Sequence, residues 1–366
     1  MRLLVSAGGT GGGVYPALAV VDALRDRAEV LWVGSEGGME ASLISRTGLA
    51  FESIPAAGLH GVGLKALPGN LWRLAKGVPA ARRIVRQFDP DVIFFTGGFV
   101  GVPVALAGRH LPKMVYVPDI EPALALKLIG NMADVIAVTT EESRAYHSVR
   151  RRVVVTGYPT RHSLRTVDRT GARDRLGLDV ERPVVLVFGG SRGARSINEA
   201  LWGCLEKLLE STQILHITGT LDWPRVEDVR SRFPIAQLSD YHAHAYLHEE
   251  MADALVAADL VVSRAGAATL GEFTLLGLPA ILVPYPHAWR YQKVNAQYLV
   301  RRGAAVSLAD GSLGEELLPT ILTLLGDKAR LNAMAQAARK LATPEAAHAI
   351  ASEIESLGEG KGGTRA

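Results

Sequence analysis

Residues able to handle phosphates, vicinal hydroxyls or protons collect in six short stretches of this 366-residue chain, each following an apolar run. The longest is SRAGAATLGEFTLLGLP, residues 263–279, between ADLVVS and AILVPYP; the pattern is strand, glycine turn, helix, strand. A turn at Gly266 leaves backbone N–H groups at the helix start open to an anion. Glu272, expected about a turn and a half into that helix, can accept from both hydroxyls of a ribose-like diol. Complementing the helix dipole is an equally good use of it. GGTGGGVYPALAV, residues 8–20, carries Thr10, Gly11 and Gly12 on another such turn. It suits a dinucleotide fingerprint, a phosphate loop or a plain tight connection. Neither the spacing and closing acid of a dehydrogenase nor the Lys-Ser/Thr pair of a P-loop is present, so NAD and ATP are set aside.

TGGFVGVP, residues 96–103, makes a second turn, and VVLVFGGSRGARSIN, residues 184–198, a third. On the third, Ser191 stands beside Arg192, and Arg192 with Arg195 could pair a diphosphate alongside the backbone N–H groups. In VPDIEP, Asp119 and Glu121 follow a strand closely enough to serve as an acid–base pair, and a Pro-Asp turn reads as well. HAWRYQKVNA, residues 287–296, sets Gln292 and other polar groups where a sugar could be read. The Asp89-Pro90-Asp91 triplet precedes its strand, at the end away from such a site, so no metal is expected.

These stretches need strands and helices to hold them. Strands are expected at 3–6, 30–33, 92–95, 114–117, 135–138 and 153–156, then at 184–188, 214–218, 260–263, 280–283 and 304–307. Helical patterns separate them, which predicts parallel sheets with right-handed crossovers. A charged, turn-rich connection over 157–182 divides the halves. The expected organisation is two doubly wound α/β domains, 1–160 and 161–342, facing across a cleft at the carboxyl ends of their strands. A terminal helix at 343–357 and a loose tail at 358–366 complete the chain.

Composition narrows the function classes. Apolar residues make up 48% and charged ones 21%, as in a soluble globular enzyme. The single cysteine, Cys204, excludes an intramolecular disulfide and suits a reducing compartment. A net charge of +3 with few aromatics and no recognisable motif argues against nucleic acid. No apolar run reaches the ~20 residues of a spanning helix. Residues 60–86 mix Leu71, Trp72 and Leu74 with Arg73, Lys76, Arg82, Arg83 and Arg86. That is either an ordinary amphipathic helix or a surface that rests on anionic lipid.

Five of these motifs, in this order, resemble glycosyltransferase family 28 over nearly the whole chain: GGTGG-x-VYPALAV, TGGFVGVP, GYPTR, GGSRGARSIN, and SRAGAATLGEFTLLGLPAILVPYPHAWRYQKVNA. The resemblance implies a GT-B fold of two Rossmann-like domains, with the last helix returning to the first. It implies inverting transfer of N-acetylglucosamine from UDP-GlcNAc to an undecaprenyl-diphospho-muramoyl-pentapeptide in peptidoglycan synthesis. Such an enzyme works as a peripheral protein on the cytoplasmic face of the membrane, and needs no metal or other cofactor. By the same resemblance Glu272 would hold the ribose, Leu247 the uracil side, Ser191 with the glycines around it the diphosphate, Arg161 a neighbouring position, and Gln292 the sugar. Thr10, Gly11 and Gly12 would meet the donor from the other domain. Leu71, Trp72, Arg73 and Lys76 would touch the membrane.

The chain departs from the pattern on the acceptor side. Gly13 replaces the first-loop histidine, a proposed base in the family, and Tyr116, Val117, Pro118 and Asp119 replace His-Glu-Gln-Asn. Arg192 and Tyr291 each replace a glutamine. The base then falls to Asp119, next Glu121, next His60, from their expected place at the cleft rim. Alternatives are a related transferase with the same donor and another acceptor, or a UDP-sugar-binding protein without turnover.

Overall fold

A computed structural model describes residues 1–9, 11–58, 67–190, 193–233, 238–286 and 291–362. The chain divides into two compact units, Met1–Arg161 with Thr343–Ala366, and His162–Ala342.

The first unit holds a seven-stranded sheet: β1 (Arg2–Ser6), β2 (Glu29–Ser35), β3 (Ala50–Ile54), β4 (Val92–Phe95), β5 (Lys113–Val117), β6 (Val135–Val138) and β7 (Arg152–Val155). Every pairing is parallel, in the order β3-β2-β1-β4-β5-β6-β7. The order reverses between β1 and β4, so this is the switch point where a doubly wound sheet opens a crevice. The strands form where β-branched and aromatic residues run together, and β4, β5 and β6 are buried at every residue. Val85, Val104, Leu126 and Ile129 of the covering helices complete the core.

The second unit repeats the scheme with six strands: β8 (Val184–Phe188), β9 (Gln213–Ile217), β10 (Tyr241–His244), β11 (Leu260–Ser263), β12 (Ala280–Leu282) and β13 (Ala305–Ser307). Its order is β10-β9-β8-β11-β12-β13, again all parallel, with the switch between β8 and β11. Leu201, Leu205 and Leu208 of the helix Arg195–Leu209 pack on Ile214 and Val185 in its core.

Three features differ from the sequence reading. Strands β3 and β10 were not anticipated, because each is the edge strand of its sheet and carries exposed or half-buried residues, AFESI and YHAH, in place of an apolar run. The expected tail at 358–366 is helical as far as Gly362, in the helix Ala346–Gly362. That helix packs against the helix Gly11–Leu24 and β4, and Gly358 lies so close to Met1 that a Cβ would stand 2.9 Å from its Sδ. Packing therefore extends a helix whose glycine content alone argued for a loose end. Arg161, expected to begin the second domain, belongs to the first unit. Among the described residues, no helix is long and apolar enough to cross a membrane.

Candidate functional site

The topology delivers the glycine motifs to equivalent places. Residues 8–13 follow β1 and 96–101 follow β4, the two strands at the first switch point; residues 189–194 follow β8 and 264–271 follow β11, the two at the second.

In the first unit the two loops meet backbone to backbone. Gly98, at φ +82°, would place a Cβ 2.8 Å from the Gly8 carbonyl oxygen, so only glycine permits this approach. The Thr96 hydroxyl donates to the Gly13 carbonyl at 2.6 Å. Gly13 itself has room: a Cβ would lie 3.4 Å from the Thr96 carbonyl oxygen, near ordinary contact. Of the residues assigned to this loop, Gly11 and Gly12 open the helix Gly11–Leu24. Thr10 lies outside the described residues, as does His60. The Arg161 guanidinium stacks on the Tyr15 ring at 4.9 Å, which places it one turn along that same helix.

Asp119 and Glu121 lie just beyond the carboxyl end of β5, Asp119 half-buried and Glu121 buried. Glu121 stands 3.9 Å from the Lys127 ammonium. The Tyr116 hydroxyl is buried and bonded to Thr139 at 2.8 Å. Burial pushes its pKa well up; the Thr139 bond opposes this, and the Asp119 charge adds to it.

In the second unit Gly190 and Gly193 adopt φ values of +91° and +76°. A Cβ on Gly193 would fall 2.1 Å from the Thr218 carbonyl oxygen. The loop leads into the fifteen-residue helix Arg195–Leu209, whose preceding residue, Ala194, offers no capping oxygen. Among the described residues no side chain caps its first N–H groups, an arrangement that suits an anion. Ser191 and Arg192 lie outside the described residues.

After β11 the chain makes a single 3₁₀ turn at Ala267–Leu270, and a separate helix begins at Glu272. Glu272 is thus the first helical residue, not one a turn and a half inside, because Gly271 breaks the path; the residue is 8% exposed. Asn295, fully buried, donates to the Ala265 carbonyl at 3.1 Å and ties the helix Tyr291–Arg301 to this turn. The Gln292 side chain accepts from the Tyr285 N–H at 2.8 Å. Leu247 is buried in the loop after β10, beside the Tyr246 and His248 rings.

Two side-chain networks here were not anticipated from the sequence. Arg264, next after β11, bonds Asp310 at 2.5 Å and the Ser196 hydroxyl at 2.8 Å, and Ser196 donates to the same Asp310 oxygen at 2.7 Å. The turn after β11 is thereby locked to the start of the helix Arg195–Leu209. The second network begins at Arg195, expected to face a diphosphate; it pairs with buried Asp222 at 3.0 Å, its own side chain 65% exposed. Asn198 donates to Asp222 and to the Thr218 carbonyl, and its oxygen lies 3.0 Å from His216 Nε2. That oxygen only accepts, so His216 carries its proton on Nε2, and Nδ1 accepts from the Tyr241 hydroxyl at 2.9 Å. Trp202 donates to the same hydroxyl. Burial pulls His216 down to about 3, against the raising effect of Asp222, and pushes Tyr241 up to about 12. A histidine inside the apolar run ILHIT was the one signal the sequence offered for this network.

The chain matches the glycosyltransferase family 28 N-terminal domain over residues 3–118 and the C-terminal domain over 184–350. It is 38% identical to the UDP-N-acetylglucosamine–N-acetylmuramyl-(pentapeptide) pyrophosphoryl-undecaprenol N-acetylglucosamine transferase of Roseiflexus sp., over 98% of this chain and 95% of that protein. With the Desulforudis audaxviator protein of the same name, identity is 39% over 99% of this chain and all of the relative. Among solved structures, Acinetobacter baumannii MurG aligns with a TM-score of 0.74 at 28% identity, covering 97% of this chain and 99% of that one. The UDP-GlcNAc 2-epimerase of Neisseria meningitidis, at 13% identity and a TM-score of 0.67, shares the fold alone.

Proposed function

The chain belongs to glycosyltransferase family 28 and has its GT-B fold of two parallel-sheet α/β domains, and from that premise we propose that it transfers N-acetylglucosamine from UDP-GlcNAc to undecaprenyl-diphospho-muramoyl-pentapeptide in peptidoglycan synthesis. One observation in the structure carries the donor half of this reading. A helix N-terminus that no described side chain caps, after β8, and the buried Glu272 after β11 flank the same switch point, which suits a nucleoside diphosphate.

In this reading Glu272 accepts from the ribose hydroxyls and Leu247 packs by the uracil. Ser191, Arg192, the glycine loop and the helix N-terminus meet the diphosphate charge. Gln292 orients the sugar. The acceptor hydroxyl attacks the anomeric carbon, the bond from that carbon to the β-phosphate oxygen breaks, and UDP departs with inversion. Asp119 takes the proton in preference to Glu121, which is already paired with Lys127. A general base contributes about 10²–10⁴ in rate. The test is a transfer assay with radiolabelled UDP-GlcNAc and a soluble lipid analogue of the muramoyl acceptor. Labelled disaccharide is expected. UDP binding with no transfer to this acceptor would overturn the assignment and favour a related transferase with another acceptor, for which Gly13 in place of histidine already speaks.

The same reading has the enzyme resting on the membrane as a peripheral protein. The helix Leu67–Phe88 buries Leu74, Ala81, Ile84 and Val85, and exposes Leu71 at 51% and Trp72 at 63% beside Arg73 and Lys76. The Lys76 ammonium lies 5.3 Å over the Trp72 ring. The helices packed next in series, Gly101–Ala107 and Leu124–Gly130, expose Leu106, Leu124 and Leu128. Each basic residue near an anionic surface contributes about 1 kcal/mol. Sedimentation with vesicles containing anionic lipid is expected to carry the protein down, and Trp72→Ala with Arg73→Glu and Lys76→Glu to leave it in solution; equal binding by both would remove this surface from consideration.

A further inference from the structure

Glu40 opens the five-residue helix Glu40–Ile44 beyond β2, and its side chain is fully buried. A carboxylate is retained in such a place only when its oxygens are well supplied with donors. Here Oε1 accepts from the Ser35 N–H at 2.7 Å and the Ser35 hydroxyl at 2.6 Å, while Oε2 accepts from the Gly9 N–H at 3.3 Å. Three glycines make room for it. A Cβ on Gly8 would lie 2.5 Å from Oε1, one on Gly38 2.4 Å from the same atom, and one on Gly34 2.8 Å from Cγ. The carboxylate therefore bridges the end of β2 to the first glycine loop, and that loop in turn supports the second through the contact of Gly98 with Gly8.

We propose that Glu40 is a positioning residue for transfer: by holding the Gly9 N–H inward it sets the conformation of both glycine loops of the first unit, so that the N–H groups opening the helix Gly11–Leu24 face the substrates. The proposal rests on the transferase reading above. The bonding pattern supplies a selective probe. Both oxygens accept a backbone N–H, and an amide has one accepting atom. Glu40→Gln keeps the stronger pair of bonds to Ser35 by presenting its oxygen there, and turns an NH₂ group against the Gly9 N–H. Ser35→Ala does the reverse, losing the hydroxyl on the β2 side and keeping the loop tie.

Purified full-length variants would be counted by UDP binding, which the second unit provides, and turnover expressed per UDP-binding molecule. Displacement of a loop by about 1 Å costs on the order of a hundredfold in rate. Glu40→Gln is expected to lower kcat ten- to a hundredfold, to leave KM for UDP-GlcNAc within about twofold, and to speed hydrogen–deuterium exchange in segments 7–13 and 96–101. Ser35→Ala is expected to lower Tm with kcat and exchange in both loops unchanged. A residue that only stabilised the fold would lower Tm in both variants with no loss of turnover per binding site. Unchanged kcat or unchanged loop exchange in Glu40→Gln would overturn the proposal. A wild-type protein that transfers to no acceptor would instead overturn the transferase reading, and the exchange comparison would still decide whether Glu40 holds the loops.

Discussion

In the seven-stranded unit the loops at the switch point are held glycine against glycine, Gly98 on Gly8, with one buried carboxylate beneath them. In the six-stranded unit the loops in the same topological positions are held by side chains: Arg264 to Asp310 and Ser196, and Arg195 through Asp222 and Asn198 to His216. Both sheets run in the same order out from their switch points, so the fold chooses where a ligand meets the chain. What the loops are built from chooses what they can bind. The first arrangement offers bare backbone, and a close approach for bulky substrates. The second ties a helix N-terminus to charged groups, which suits the phosphates of the proposed donor.

If the two sites are separately built, each should break without the other. The largest effect is expected for Gly193→Ala, where a Cβ would fall 2.1 Å from the Thr218 carbonyl oxygen at a positive φ. The backbone strain alone costs about 1–3 kcal/mol, and calorimetric titration should find UDP binding abolished. Gly98→Ala, with its clash at 2.8 Å, should leave UDP affinity intact and suppress transfer. Loss of UDP binding in Gly98→Ala would mean that the nucleotide site is not confined to the second unit.

A smaller effect comes from pH. In the folded chain His216 remains neutral down to about 3, whereas in the unfolded chain it takes up a proton near its ordinary value of 6.5. The unfolded state therefore binds more protons between those values, and stability rises with pH across the window. As pH falls below about 6.5 the loss amounts to about 1.4 kcal/mol per unit. Urea unfolding at pH 7 and pH 5 should show this slope in the wild type and a shallower one in His216→Gln. Equal slopes would mean that the network tolerates the charged ring. The first unit has no counterpart to this group in its glycine loops.

Much of this frame could be read in the chain beforehand. The apolar runs VIFF, VIAV and LVVS became strands with the expected bounds, since burial on both faces demands an unbroken β-branched or aromatic run. AFESI and YHAH escaped because an edge strand needs no such run. The C-terminal glycines suggested a tail, and packing against Met1 and Val92 made helix of most of it.

By itself the sequence determined the alternation of strands and helices, the two-sheet architecture, and the glycine turns with their nearby acids, because each is a local consequence of side-chain branching or of positive φ. Only the tertiary structure decided which groups hold those turns in place. Glu40 reaches Gly9 across 31 residues, Arg264 reaches Asp310 across 46 and Ser196 across 68. No periodicity couples such positions. Their partnership follows from the parallel register, which sets the carboxyl ends of neighbouring strands, and the loops beyond them, side by side.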